Sequence, residues 1–474
     1  MDYNTWWMVE NGKLFEMCDG KCPKRIEHDF LVFPASFASI DKTELSAKTE
    51  EEIVDEILDT NGSWSIIYYN KNLEKIFFGR DVFGRQSLVC NNSDSKFLIG
   101  CRVNPEITTG EWIEVPYGQV TVMDLKDSSD IEMTSYFDEY PDDVLRGDFA
   151  TAPLKTVNKK RNLLNVRRKA TNIDEGPKPS SALFWITVRV TENLLKNCQQ
   201  RVGICLSGGV DSTFIAHVAH HAIPKNYPLD LVNVAFGDSR EACSKAPDRK
   251  RSIEALKSIR AQYQDRVFRL ILVDVHSEEL LNCRKQYIST AARPACSVLD
   301  DSLSCVLWFA LRAEGRDYDT DERVDSEARI MLLGSGADEL LAGYARHRTR
   351  FEKDQNVECV AEECELELRR LGSRNGGRDA RVAAQLRKTI ITIISPLLED
   401  DVVEFLNNLP GNSKWDLSLP RGVGEKKILR EAVRDLGSPY DMPKQAMQFG
   451  SRMAQMSNQG NSAIKGSDKS PHLT

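Results

Sequence analysis

An apolar run of strand character, Val202-Gly203-Ile204-Cys205-Leu206, breaks on Ser207-Gly208-Gly209-Val210-Asp211-Ser212 and resumes with helical character over Thr213–Ala219. This order of strand, glycine turn and helix constrains the fold more than any other feature. It sets a helix N-terminus, with its unpaired N–H groups, at the carboxyl end of a strand. Two adjacent glycines let the backbone approach a ligand closely, and the serine hydroxyls add donors. The result is an anion cradle. A P-loop is excluded, because no Gly-Lys-Ser/Thr follows the first glycine at the required distance. The dinucleotide fingerprint is excluded for want of its three spaced glycines. An ordinary strand-to-helix turn is the plain alternative.

Composition limits what surrounds this turn. A chain of 474 residues is too long for one core and suggests two or three domains. Hydrophobic residues at 41% and charged residues at 28% describe a folded globular chain. The net charge of −8 argues against a general nucleic-acid binder. No apolar run approaches the roughly 20 residues that span a bilayer; the longest, Thr389 to Leu398, is far shorter. The N-terminus shows no charged-then-apolar signal segment, so the expectation is a cytoplasmic protein with no membrane partner. Twelve scattered cysteines fit reduced core thiols. Cys18 and Cys22, or Cys359 and Cys364, lack the matching His pair that a zinc site wants.

Along the chain, residues 1–136 read as a mostly β domain. Trp64–Tyr69, Lys75–Phe78 and Gln119–Met123 are rich in β-branched and aromatic residues, and Thr49–Leu58 has helical spacing. Residues 137–180 lack periodicity and carry four prolines and a basic cluster (Lys159, Lys160, Arg161, Arg167, Arg168, Lys169). A solvated linker is the plain reading and an interaction patch the alternative. From 181 to 452 helix and strand patterns alternate, with strands at 202–206, 231–236, 267–273 and 329–333. Alternation of this kind implies βαβ units and a parallel sheet with ligands at its carboxyl ends. Residues 453–474 turn to Ser, Gly, Asn and Lys and read as a disordered tail.

A second acidic turn reinforces the first. Ile330-Met331-Leu332-Leu333 runs into Gly334-Ser335-Gly336-Ala337-Asp338-Glu339. On one parallel sheet the two turns put Asp211 and Asp338 at the same edge, where paired carboxylates can hold Mg²⁺ shared with phosphates. Taken alone, Asp338 and Glu339 also read as the acidic first turn of a helix.

The Ser-Gly-Gly-x-Asp-Ser order resembles the pyrophosphate loop of ATP pyrophosphatases. With Val234-Ala235-Phe236, Gly334 to Glu339, Leu341-Ala342-Gly343-Tyr344 and Gly424 to Arg430, the C-terminal two thirds is similar to asparagine synthetases. Arg293-Pro294, Val298 to Asp301 and Met442 to Arg452 match more narrowly the asparagine synthetase domain-containing group of animals. The resemblance implies an α/β architecture: a partial Ntn-type α+β sandwich, then a doubly wound parallel sheet of the adenine-nucleotide α-hydrolase (PP-loop) type. It implies a carbon–nitrogen ligase making asparagine from aspartate through β-aspartyl-adenylate, with ATP and Mg²⁺, AMP and pyrophosphate as products, and ammonia or glutamine as nitrogen source. Carried over, Leu206, Phe236 and Gly334 flank adenosine. Ser207, Gly208, Gly209, Asp211 and Ser212 hold pyrophosphate, and Asp211 and Asp338 hold Mg²⁺. Lys426 and Lys444 are the catalytic candidates that neutralise phosphate charge, with surface lysines as the plain alternative.

Two departures stand beside the resemblance. Asn11-Gly12 with Leu14-Phe15, and Gly79 to Leu88, resemble the glutamine-hydrolysing domain of class II amidotransferases, with Asp29 as a glutamine-binding match. That domain needs an N-terminal cysteine nucleophile. Here position 2 is Asp2, and Cys18 and Cys22 follow the turn, so the 1–136 domain reads as truncated and its glutaminase as inactive. In the segment Arg387 to Asp400, a β-branched apolar stretch stands where the family has a glutamate. These departures keep open the alternative of a catalytically inactive nucleotide-binding scaffold.

Overall fold

The computed structural model describes all residues except 1–4, 19–22, 33–39, 41, 94–95, 128–130, 141–143, 158–162, 167–176, 197, 199, 387–391, 439–442, 444, 459–464 and 474. Two compact units emerge. The first takes Met1–Arg161 together with Thr290–Cys296 and Arg369–Ala384; the second takes Asn162–Ser289, Ser297–Leu368 and Gln385–Thr474. The segment read as a linker, 137–180, is therefore divided between them after residue 161.

The first unit is built on two six-stranded sheets. One contains the hairpin Thr5–Glu10 and Lys13–Cys18, the other the run Ser65–Asn70, Lys75–Arg80, Gln119–Asp124 and Ile131–Ser135. Their inner faces share one core, in which Trp7 and Phe97 from the first meet Ile67 and Phe78 from the second. Asn11 and Gly12, at φ 51° and 68°, form the two-residue turn of the hairpin. The helix Glu50–Asp59 opens on a capping box between Thr49 and Glu52.

Charge explains why two late segments join this unit. Arg80 and Arg381 are both buried, and Glu114 lies between them, 3.1 Å from one guanidinium and 2.5 Å from the other. Burial alone would raise the Glu114 pKa, but the two arginines hold it below its usual value. Arg80 also donates to Gly372 O, and Arg381 to Ala291 O, Ala292 O and Ser87 Oγ.

The second unit is mixed α/β. Its seven-stranded sheet has the order Arg323–Asp325, Glu314–Asp317, Phe268–Val275, Leu229–Phe236, Arg201–Cys205, Ala328–Leu332, Thr392–Ile394. The last five are mutually parallel, while Glu314–Asp317 pairs antiparallel with both Phe268–Val275 and Arg323–Asp325. All eight residues of Leu229–Phe236 are buried, as in a strand covered on both faces. Strand order reverses between Arg201–Cys205 and Ala328–Leu332, and a crevice at the carboxyl ends forms at such a point. The apolar stretch that lacks the family's glutamate supplies the edge strand Thr392–Ile394, with 387–391 outside the described residues.

The tail reading needs correction where the structure describes it. Met453–Asn458 is helical, and Val298 and Leu299 donate their N–H groups to Asp468 O and Gly466 O. Met453 and Leu473 are buried, and these apolar anchors hold a segment whose composition reads as disordered. Among the described residues no helix is long and apolar enough to cross a membrane.

The helix Val210–Ala222 carries a buried histidine with a measurable consequence. His217 bonds Tyr263 Oη at 2.8 Å and Ser438 Oγ at 3.1 Å, and burial pushes its pKa from 6.5 down to about 4. The unfolded chain binds this proton more tightly, so the stability contributed is complete above about pH 6.5 and is lost as pH falls toward 4. Urea unfolding at pH 7.5 and pH 5 should show the loss, about 3 kcal/mol in the limit. His217→Gln should flatten the dependence; an unchanged pH profile in that variant would refute the assignment.

Candidate active site

The first turn leaves its strand at Leu206, whose N–H donates to Val232 O. Gly209 is the N-cap of the 13-residue helix Val210–Ala222, which starts with no side-chain cap. Ser207 Oγ accepts from Gly209 N–H at 3.2 Å and lies 3.3 Å from Ser212 Oγ, which donates to Gly209 O. The two glycines have different reasons. Gly208 sits at φ 75°, and a Cβ there would lie 2.2 Å from the backbone carbon of Arg251. A Cβ on Gly209 would meet only Ser207 Oγ, at 3.3 Å. Gly208 therefore serves helix packing, and the open side of the turn belongs to Gly209. An uncapped helix start with two hydroxyls and an open glycine fits a phosphate group.

The second turn follows Ala328–Leu332, and its Gly334 lies against the first: a Cβ on Gly334 would fall 2.8 Å from Asp211 Cβ. Gly336, at φ 94°, starts the four-residue helix Ala337–Leu340. Asp338 and Glu339 both occupy its first turn but point to different partners. Glu339 is buried and accepts from Tyr344 Oη, whose pKa is driven well up by burial and then by the Glu339 charge.

Asp338 and Asp211 meet at Lys426. The buried ammonium lies 2.7 Å from Asp211 Oδ2 and 2.7 Å from Asp338 Oδ1. Burial alone would lower the lysine pKa, but the two carboxylates overrule it and raise the value. The residue is held from every side. Its N–H donates to Leu341 O, its φ is 54°, and it caps the helix Lys427–Asp435. A Cβ on Gly343 would lie 2.3 Å from its Cε and 2.1 Å from Asp338 Oδ1. The neighbouring Glu425 is fixed by Arg348, Arg430 and the Gly422 N–H.

The remaining candidates divide. Leu206 and Phe236 are buried, Phe236 packing edge-to-face on Phe309 with its N–H given to Ser451 O. Lys444 lies outside the described residues. One residue escaped sequence reading altogether. Asp248, in the first turn of the helix Pro247–Gln262, is buried, and this raises its pKa to about 7 against the weaker opposing pull of Arg251, 3.9 Å away. Its carboxylate presses on Gly450, where a Cβ would fall 2.2 Å from Oδ1. Nothing in the pattern Pro-Asp signals this, because acidic residues in a first turn are ordinary.

The asparagine synthase family model matches residues 193–393. The chain is 31% identical to asparagine synthetase domain-containing protein 1 of Bos taurus over 90% of its own length and 82% of that protein. It is 24% identical to the glutamine-hydrolyzing asparagine synthetase of Gallus gallus, over 79% of this chain and 60% of that one. Among solved structures, a glutamine phosphoribosylpyrophosphate amidotransferase from B. subtilis superposes with a TM-score of 0.23 at 9% identity, covering 57% of this chain and 75% of that one, too loosely to carry an argument. On sequence, the chain belongs to the family of asparagine synthetase domain-containing protein 1.

Proposed function

We propose that this chain is an ATP-dependent ligase that activates a carboxylate as its adenylate and passes the acyl group to ammonia, with aspartate as the acceptor and asparagine as the product. In this reading the second unit is a PP-loop sheet and the first a glutamine amidotransferase-like sandwich. The observation that carries it is the meeting of two glycine turns across the point of strand reversal, each bringing a carboxylate to one lysine.

The aspartate carboxylate oxygen would bond to the α-phosphorus as the α–β bridging bond breaks and pyrophosphate leaves. Ammonia then bonds to the acyl carbon, AMP leaves with the electron pair of the acyl–oxygen bond, and the nitrogen gives its surplus proton to solvent. The chain's own contribution is electrostatic. The helix start at Gly209 and the hydroxyls of Ser207 and Ser212 offer donors to phosphate oxygens. Asp211 and Asp338 would face the Mg²⁺ that accompanies a nucleotide. Lys444 would supply a further positive charge.

The test is isotope exchange between pyrophosphate and ATP. Exchange that requires both aspartate and Mg²⁺ is the expected result. ATP binding without pyrophosphate release under any amino acid would instead favour a nucleotide-binding scaffold, and a well-folded chain that fails to bind ATP would remove the reading altogether.

A further inference from the structure

We infer that Lys426 is a resident cation: its ammonium holds the position between Asp211 and Asp338 that a bare divalent ion would take, so the pair admits metal only together with the phosphates of a nucleotide. The second half of this statement rests on the proposed function; the first does not.

The geometry carries it. A divalent ion bridging the two carboxylates must come within about 2.0–2.1 Å of an oxygen from each. The ammonium already lies 2.7 Å from one oxygen of each. Nothing around it offers an easy retreat. Gly343 leaves no room beside Cε, and the Lys426 backbone is tied to Leu341. Gly334 presses the first turn against the second, so the carboxylates cannot easily spread to admit a second cation. A dication forced into the same interval would face the ammonium at contact distance, where repulsion between like charges is strong.

The ligand count points the same way. Among the described residues no group of three or more His, Cys, Asp or Glu side chains is placed to hold a metal. Glu339, next in sequence to Asp338, is committed to Tyr344. Mg²⁺ gives up water reluctantly and usually needs phosphate oxygens besides one or two carboxylates. The carboxylates are part-exposed, at 24% and 18%, while the lysine side chain is 2% exposed. That part exposure leaves the carboxylates within reach of a metal that arrives carrying its other ligands. Lys426 is thus a positioning residue: it fixes the separation of the two carboxylates in advance and tunes them against free metal.

Mn²⁺ is the probe, with free ion read by electron paramagnetic resonance on the full chain. Without nucleotide, the wild type should show no saturable site below the millimolar range. Lys426→Met should gain at least tenfold in Mn²⁺ affinity, and Asp338→Asn in the same background should abolish the gain. A wild-type site of micromolar affinity that disappears in Asp211→Asn would overturn the inference, as would a folded Lys426→Met that binds no better than wild type. Should Lys426→Met fail to fold, Lys426→Gln takes its place, and the wild-type titration against Asp211→Asn decides by itself. A second arm adds α,β-methylene ATP, with which wild type should bind Mn²⁺ saturably. A wild type that binds the analogue but not Mn²⁺ beside it overturns the admission of metal with phosphates. A wild type that binds no analogue defeats the proposed function, and the metal-alone arm still decides whether Lys426 blocks the pair.

Discussion

Replacing Asp211 with asparagine should lower aspartate-dependent exchange between pyrophosphate and ATP by about 10²–10³-fold, the scale seen when one preorganised electrostatic contact is removed from a reacting centre. The substitution keeps the shape that Gly334 packs against and deletes only the charge facing Lys426. Asp338 still holds the ammonium, so the cost in stability should stay near 1–3 kcal/mol. Asp338→Asn attacks the same lysine from the other side. Because both carboxylates act through one cation, the double variant should lose far less than the product of the two single losses. Steady-state exchange together with thermal melts on all three variants provides the check. Exchange in Asp211→Asn above about a tenth of wild type would remove this carboxylate from the chemistry.

The second large effect concerns the paired glycines. Gly208→Ala should destabilise the chain by on the order of 2–5 kcal/mol, from a left-handed backbone and an overpacked contact. The methyl would strike the main chain of the helix Pro247–Gln262 at Arg251, which cannot rotate away as a side chain could. Gly209→Ala, one residue on, adds its methyl to open space beside Ser207 Oγ. Its unfolding midpoint should stay close to wild type while nucleotide binding weakens, since the methyl enters the open side of the turn. Differential scanning calorimetry of the pair tests the contrast. Equal stability losses would show that the two positions are not distinguished as the structure has them.

The two turns were legible because a glycine run after a β-branched strand has few structural meanings. That they share one edge also followed from the alternation of patterns around them. Lys426 was read from sequence as a phosphate-neutralising candidate, and its place as the bridge between Asp211 and Asp338 was not legible. That role depends on a contact across 215 positions of chain, and no local period encodes it. The attachment of 369–384 to the first unit was equally hidden: it turns on the buried Arg381 meeting the half-buried Glu114, two charges that look exposed in sequence. The tail failed differently. Its polar composition outvoted Met453 and Leu473, and two anchors suffice for a short segment.

The interleaving of the units has a consequence for how this chain can change. The backbone passes from one unit to the other after residues 161, 289, 296, 368 and 384, so no single cut yields two whole halves. The N-terminal portion could not simply be removed from the rest. Doing so would strand Arg381 without Glu114, a buried cation left with backbone carbonyls and no counter-charge. Inheritance of the sandwich is thereby secured by topology, whether or not it retains an activity of its own.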